Sequence, residues 1–169
     1  MADDATTNDV PTGDATMDDA TVAADPSDEL TEVVHAEGHE NVTGEHASTL
    51  EFSSDDFLTP AGDCILAIEA DRVPADLSAA FVTACQDAEA TITATIEAGS
   101  HTERVVGRGD PELSFENERS HVLRTSDYVD DRTVLVGADK AAADVDRDLV
   151  AALAEGADAT LTLRVEPGE

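Results

Sequence analysis

Three of the five histidines, His35, His39 and His46, stand close together in one polar segment, interleaved with Glu40, Asn41 and Glu45. Imidazoles and carboxylates gathered this way could ligate zinc or another divalent metal, or move a proton near neutral pH. His39 and His46 are the candidate metal ligands, and the cofactor such chemistry would use is a divalent metal. A turn further on, Thr59-Pro60-Ala61-Gly62-Asp63-Cys64, could approach the same hairpin. Asp63 and Cys64 therefore join His39, Asn41 and His46 as one candidate site. The spacing matches no established metal signature such as two histidines one helical turn apart. An ordinary turn with exposed histidines, followed by a buried cysteine, accounts for the same residues.

Those residues must be held by elements, and the elements read as two copies of one unit, residues 33–99 and 105–168. Ile65 to Asp71 matches Thr133 to Asp139, Ala90-Thr91-Ile92-Thr93 matches Ala159-Thr160-Leu161-Thr162, and Glu97 and Gly99 match Glu166 and Gly168. A repeat of this length is one supersecondary module whose copies bury a shared core. Ala90, Ile92, Ala94 and Ile96 alternate with Thr91, Thr93, Thr95 and Glu97, and residues 159–166 alternate in the same way, which predicts strands with one buried and one wet face. Leu50 with Phe52, and Leu113 with Phe115, predict two shorter strands. Cys64–Ala70 and Thr133–Ala138 are apolar on both faces and are expected at the centres of sheets. Leu77, Ala80, Phe81, Ala84 and Cys85 lie at helical spacing, as do Val145, Leu149, Ala152 and Leu153. Asp76 and Asp144 are placed to cap these helices, and Gly156 to stop the second. The expected fold is α+β and β-rich. It is a two-sheet antiparallel sandwich built from two strand-helix-strand units with pseudo-twofold symmetry.

The repeat draws attention to a second set of residues. Asp71-Arg72 and Asp139-Lys140 follow the expected central strands in each copy, in a chain with nine basic residues in all. They read either as structural ion pairs and caps or as an anion or carboxylate contact near the pseudo-twofold axis. The histidine segment has no such echo. The second copy carries Gly109-Asp110-Pro111-Glu112 at the corresponding place, so a histidine site would exist in one copy only.

The charge is extreme: 39 acidic against nine basic residues, net −30. Self-repulsion of this size destabilises a compact chain, and molar salt, with a Debye length of about 3 Å, removes it. The acid is spread along the whole chain and lysine is nearly absent, which reads as surface adaptation in a cytoplasmic protein of a salt-loving organism. Nucleic acid is not an expected partner, since clustered Lys and Arg are missing and aromatic residues make up 3% of the chain. No stretch is long and apolar enough to span a membrane, so no membrane partner is expected, while the composition leaves homo-oligomers open. Residues 1–27 hold no Lys, Arg or aromatic side chain. They are expected to form a disordered acidic tail, dispensable for folding, with residues 28–169 as a single β-rich domain. No phosphate loop, dinucleotide fingerprint or Gly-x-Ser-x-Gly nucleophile elbow is present.

Gly-His-Glu-Asn-Val at 38–42, Leu-Thr-Pro-Ala-Gly-Asp-Cys-Ile at 58–65, Val-Gly-Arg-Gly at 106–109 and Ala-Asp-Lys-Ala-Ala at 138–142 resemble the archaeal family known as domain of unknown function 371. The resemblance covers about residues 30–167. It implies an archaeal cytoplasmic protein, here a haloarchaeal member, with a β-sandwich or jelly-roll-like fold, and it implies no activity. Arg72 stands where the family pattern leads one to expect lysine, in keeping with a chain that avoids lysine. Because no complete catalytic constellation can be assembled, the sequence favours a binding or interaction module. A metal-dependent, hydrolase-like enzyme on the histidine segment and a structural subunit of an archaeal assembly are the alternatives.

Overall fold

The computed structural model describes residues 30–168; the expected acidic tail lies outside them. The elements run β1 (Thr31–Glu37), β2 (Thr49–Ser53), β3 (Ile65–Ala67), α1 (Ala79–Cys85) and β4 (Thr91–Ala98). They continue with β5 (His101–Arg108), β6 (Ser120–Arg124), β7 (Thr133–Leu135), α2 (Arg147–Ala154) and β8 (Asp158–Glu166). The same succession of three strands, a 3-10 turn, a helix and a strand thus occurs twice. One sheet has the order β1-β8-β4-β5, with every pair antiparallel. The other has the order β3-β2-β6-β7. Here β2 and β6 are antiparallel, but the edge strands β3 and β7 run parallel to their neighbours, so the expectation of purely antiparallel sheets is corrected for this sheet.

The alternating segments form the strands they predict. Ile92, Ala94 and Ile96 of β4 and Leu161, Leu163 and Val165 of β8 are fully buried, whereas their threonine neighbours face outward. Leu50, Phe52 and Leu123 come from the other sheet, and Phe81, Leu149 and Leu153 from the helices. All join one apolar cluster. The two segments apolar on both faces are edges, not centres. After three residues beside β2, the chain leaves β3 and pairs Ile68 with Glu37 of the other sheet through bonds of 2.9 and 2.7 Å; Val136 does the same with Arg108. Crossing between sheets buries both faces as thoroughly as a central position would.

Leu113 and Phe115 are buried but form no strand. Phe115 takes a positive φ of 52° and sets its ring edge-on to Phe81, centroids 5.9 Å apart. The helices begin just after the expected caps. Ser78 Oγ accepts from Phe81 N at 3.2 Å and the Asp146 carboxylate from Asp148 N at 2.7 Å. Asp76 and Asp144 instead close the 3-10 turns Pro74–Asp76 and Ala142–Asp144, accepting from Val73 N and Ala141 N. Gly156, at φ 88°, ends α2: its N–H bonds Leu153 O and the next N–H bonds Ala152 O, the paired pattern of a left-handed helix stop.

Candidate functional site

The residues that drew attention in the sequence hold turns. His39 Nδ1 accepts the Asn41 N–H at 3.0 Å, and Asp110 Oδ1 accepts the Glu112 N–H at 2.8 Å in the second half. His46 Nδ1 accepts from Ser48 N and Thr49 N at 3.2 and 3.1 Å, and Asn117 Oδ1 accepts from Arg119 N and Ser120 N at 2.8 and 2.7 Å. Each histidine therefore does the work that an aspartate or asparagine does elsewhere in the chain, the ordinary role of such side chains in turns. An accepting Nδ1 places the proton on Nε2, the nitrogen a metal would otherwise use. Asn41 donates through Nδ2 to Leu58 O at 2.7 Å, which ties the two turns together.

The turn before β3 meets the His46 segment through the Asp63 backbone. The Asp63 carbonyl accepts from Glu45 N and His46 N, and the Cys64 thiol lies 3.5 Å from Glu51 Oε1. Burial and the Glu51 charge push that thiol up to about 11, away from nucleophilic chemistry at neutral pH. His39 makes no hydrogen bond to His46, Asp63 or Cys64. Among the described residues no group of three or more His, Cys, Asp or Glu is arranged to hold a metal ion.

The repeated acid-base pairs take up matching structural duties on opposite edges of the antiparallel sheet. Asp71 exchanges two hydrogen bonds with the backbone of His35, and Asp139 does so with Val106. Arg72 pairs with Glu32 and Lys140 with Glu103, both at 2.8 Å. Glu32 and Glu103 in turn accept the Ser78 and Asp146 N–H groups beside the helix starts. Because β1 and β5 are the two outer strands, the pairs do not meet at a shared centre.

Two groups were passed over in the sequence. On the outer side of the mixed sheet, Arg124 is nearly buried and bonds Thr133 Oγ1 and Asp130, under the Tyr128 ring. Partial burial works against the Asp130 charge, yet Arg132 and Arg124 hold its carboxyl down at about 2. His121, fully buried on β6, donates from Nε2 to Arg72 O at 2.9 Å and has no partner for Nδ1 among the described residues. Burial depresses its pKa below the usual 6.5; the Arg72 charge adds to this, while the bond to the Arg72 carbonyl and the Asp76 charge oppose it. Folded His121 thus stays neutral where the unfolded chain takes up a proton. Stability is complete above about pH 6.5 and falls as pH drops through that value, levelling off below the folded pKa. Urea titrations at pH 7.5 and 5.5 should show the native chain losing more stability on acidification than His121→Leu. Equal losses would refute this account.

The outer face of the antiparallel sheet carries an ordered polar pattern. Strand register lines up two central rows, Thr31-Arg164-Thr93-Val106 and Val33-Thr162-Thr95-Arg104, each running β1-β8-β4-β5. A cavity of about 310 Å³ lies over them, lined by Thr31, Thr93, Thr95, Thr162, Arg104, Arg164 and Glu166. The two rows contain no carboxylate. The threonine alternation that revealed the strands was already the signal for this face.

The profile of the family described as Domain of unknown function (DUF371) matches residues 34–166. The chain belongs to that family. Among DUF371-like proteins it is similar to Uncharacterized protein MJ0206 of Methanocaldococcus jannaschii, with 36% identity over 124 residues, 73% of this chain and 91% of that protein. The family match takes in both helices and every strand except the first three residues of β1, so it leaves out Thr31 and Val33 of the threonine face. Among the described residues no helix is long and apolar enough to cross a membrane.

Proposed function

We propose that this DUF371 protein is a binding module and that its recognition surface is the outer face of the β1-β8-β4-β5 sheet. One observation carries the reading: in a chain with 39 acidic residues, the two central rows of this face hold hydroxyls, two arginines, two valines and no acid. Hydroxyls that both donate and accept, fixed on a four-stranded sheet, form a preorganised surface. The test is equilibrium dialysis of the full chain against an archaeal metabolite extract, read by mass spectrometry. A compound retained by the native chain should be lost from Thr95→Trp, which fills the cavity floor; folding of the variant is checked by circular dichroism. Retention of nothing, or equal retention by both chains, would defeat the reading.

The same proposal takes the protein as the cytoplasmic product of a salt-loving archaeon, with residues 28–169 a single sandwich-like domain that arose by duplication. Support for the duplication comes from features that recur in pairs: the Ile68 and Val136 bridges, the Asp71 and Asp139 backbone clasps, and positive φ at Gly44 and Phe115 and again at Glu69 and Gly137.

A further inference from the structure

We propose that the ligand of the threonine face is a small molecule bearing an oxyanion, a phosphate or carboxylate group gripped between Arg104 and Arg164. The proposal rests on the preceding reading of this face as a recognition surface. Most cations of this chain are already committed. Arg72, Arg119, Arg124, Arg132 and Lys140 pair with carboxylates, and Arg147 bonds the carbonyls of Gly44, Ala142 and Val145. The exposed Arg104 guanidinium has neither hydrogen bond nor ion pair among the described residues. Among the described residues Arg164 has only a long contact to Glu166, 3.6 Å, and one to Thr31 Oγ1, 3.4 Å. A pair so exposed contributes little.

The register fixes how the two arginines can cooperate. Arg164 stands opposite Thr93 and Arg104 opposite Thr95, on either side of β4. Two strand spacings and two residues along the strand separate their Cα atoms by about 12 Å. Long side chains from both sides can therefore close over one group seated on Thr93, Thr95 and Thr162. Guanidinium groups only donate, in a fork that matches two oxygens of a phosphate or carboxylate, and each threonine hydroxyl can turn its proton to a third. A cavity of about 310 Å³ suits a small molecule. The net charge of −30 opposes any anion at long range. Salt screens that opposition beyond about 8 Å at physiological strength and leaves direct contacts in force. Glu166, which also lines the cavity, is the competitor the ligand must displace from Arg164.

The test uses the full chain at fixed salt, titrated separately with inorganic phosphate and with citrate, and followed by amide chemical shifts. At least one probe should shift Thr93, Thr95 and Thr162 saturably, and the tighter probe tells phosphate from carboxylate. Arg104→Gln and Arg164→Gln should each weaken binding about tenfold, the loss of one charge-assisted contact, and Glu166→Gln should tighten it. Absence of a saturable shift with both probes, or arginine variants that bind like the native chain, would overturn the proposal. A neutral compound retained in the dialysis and indifferent to Arg104→Gln would overturn the oxyanion alone and leave the recognition surface standing.

Discussion

Transfer from molar to millimolar salt should abolish the cooperative unfolding transition or lower its midpoint steeply. Five of the 29 acidic residues described, Glu32, Asp55, Glu103, Asp130 and Glu166, are paired with Arg or Lys. The remainder repel one another wherever solvent does not screen them. The Debye length rises from about 3 Å at 1 M to about 30 Å at 0.01 M, the scale of the whole folded chain. Each carboxylate then feels nearly all the others, and expansion relieves the repulsion. Far-ultraviolet circular dichroism with thermal melts across a salt series measures this. A melting midpoint that stays constant from 1 M to 0.01 M would show that the packing tolerates the charge unaided.

The second large effect is expected at Gly38 and Gly109. Each follows the first strand of its half and passes directly against a helix end. Gly38 N–H bonds Ala157 O at 2.8 Å, and a β-carbon at this position would fall on the Leu153 carbonyl group. Gly109 N–H bonds Ala90 O at 3.0 Å, and its β-carbon would fall on the Cys85 and Asp87 carbonyl oxygens. The obstacle in both places is backbone, which cannot rotate away as a side chain can. Gly38→Ala and Gly109→Ala should therefore each cost about 3 kcal/mol, near the upper end for overpacking. Denaturant midpoints of the two variants against the native chain decide it. A loss below about 1 kcal/mol would mean the helix end shifts freely.

Much of this architecture could be read from the residues, and the failures have physical reasons. Alternation in β4 and β8 announced the strands because one face is buried and the other wet. The same alternation could not fix how the halves correspond. Matching Ala90-Thr91-Ile92-Thr93 to Ala159-Thr160-Leu161-Thr162 keeps every side chain on its proper face. Yet the equivalent bonds of Gly38 to Ala157 and Gly109 to Ala90 set the halves two residues apart from that match. A slip of one full strand period is invisible to the pattern. Strand β6 went unread because Ser120, His121 and Arg124 are buried polar residues that look like loop. The histidines stood out by scarcity, but scarcity does not distinguish a ligand from a turn cap. Asp110 and Asn117, in the matching turns, were the clue that a cap sufficed.

The strand order of the antiparallel sheet also governs how the protein can be made. In β1-β8-β4-β5 no two neighbours come from the same half of the chain, and β8, the last strand to leave the ribosome among those described, occupies an interior place. Strand β1 must wait for a partner some 133 residues away, as the Thr31 to Arg164 contact measures. Contacts of such separation fold slowly, because distant segments must meet before anything is gained. Until β8 has been made, β1 and β4 each hold an open flank, and the alternate apolar side chains meant for the core lack their cover. Losing the final strand would separate β1 from the other strands of its own sheet, so this chain is assembled last at its centre.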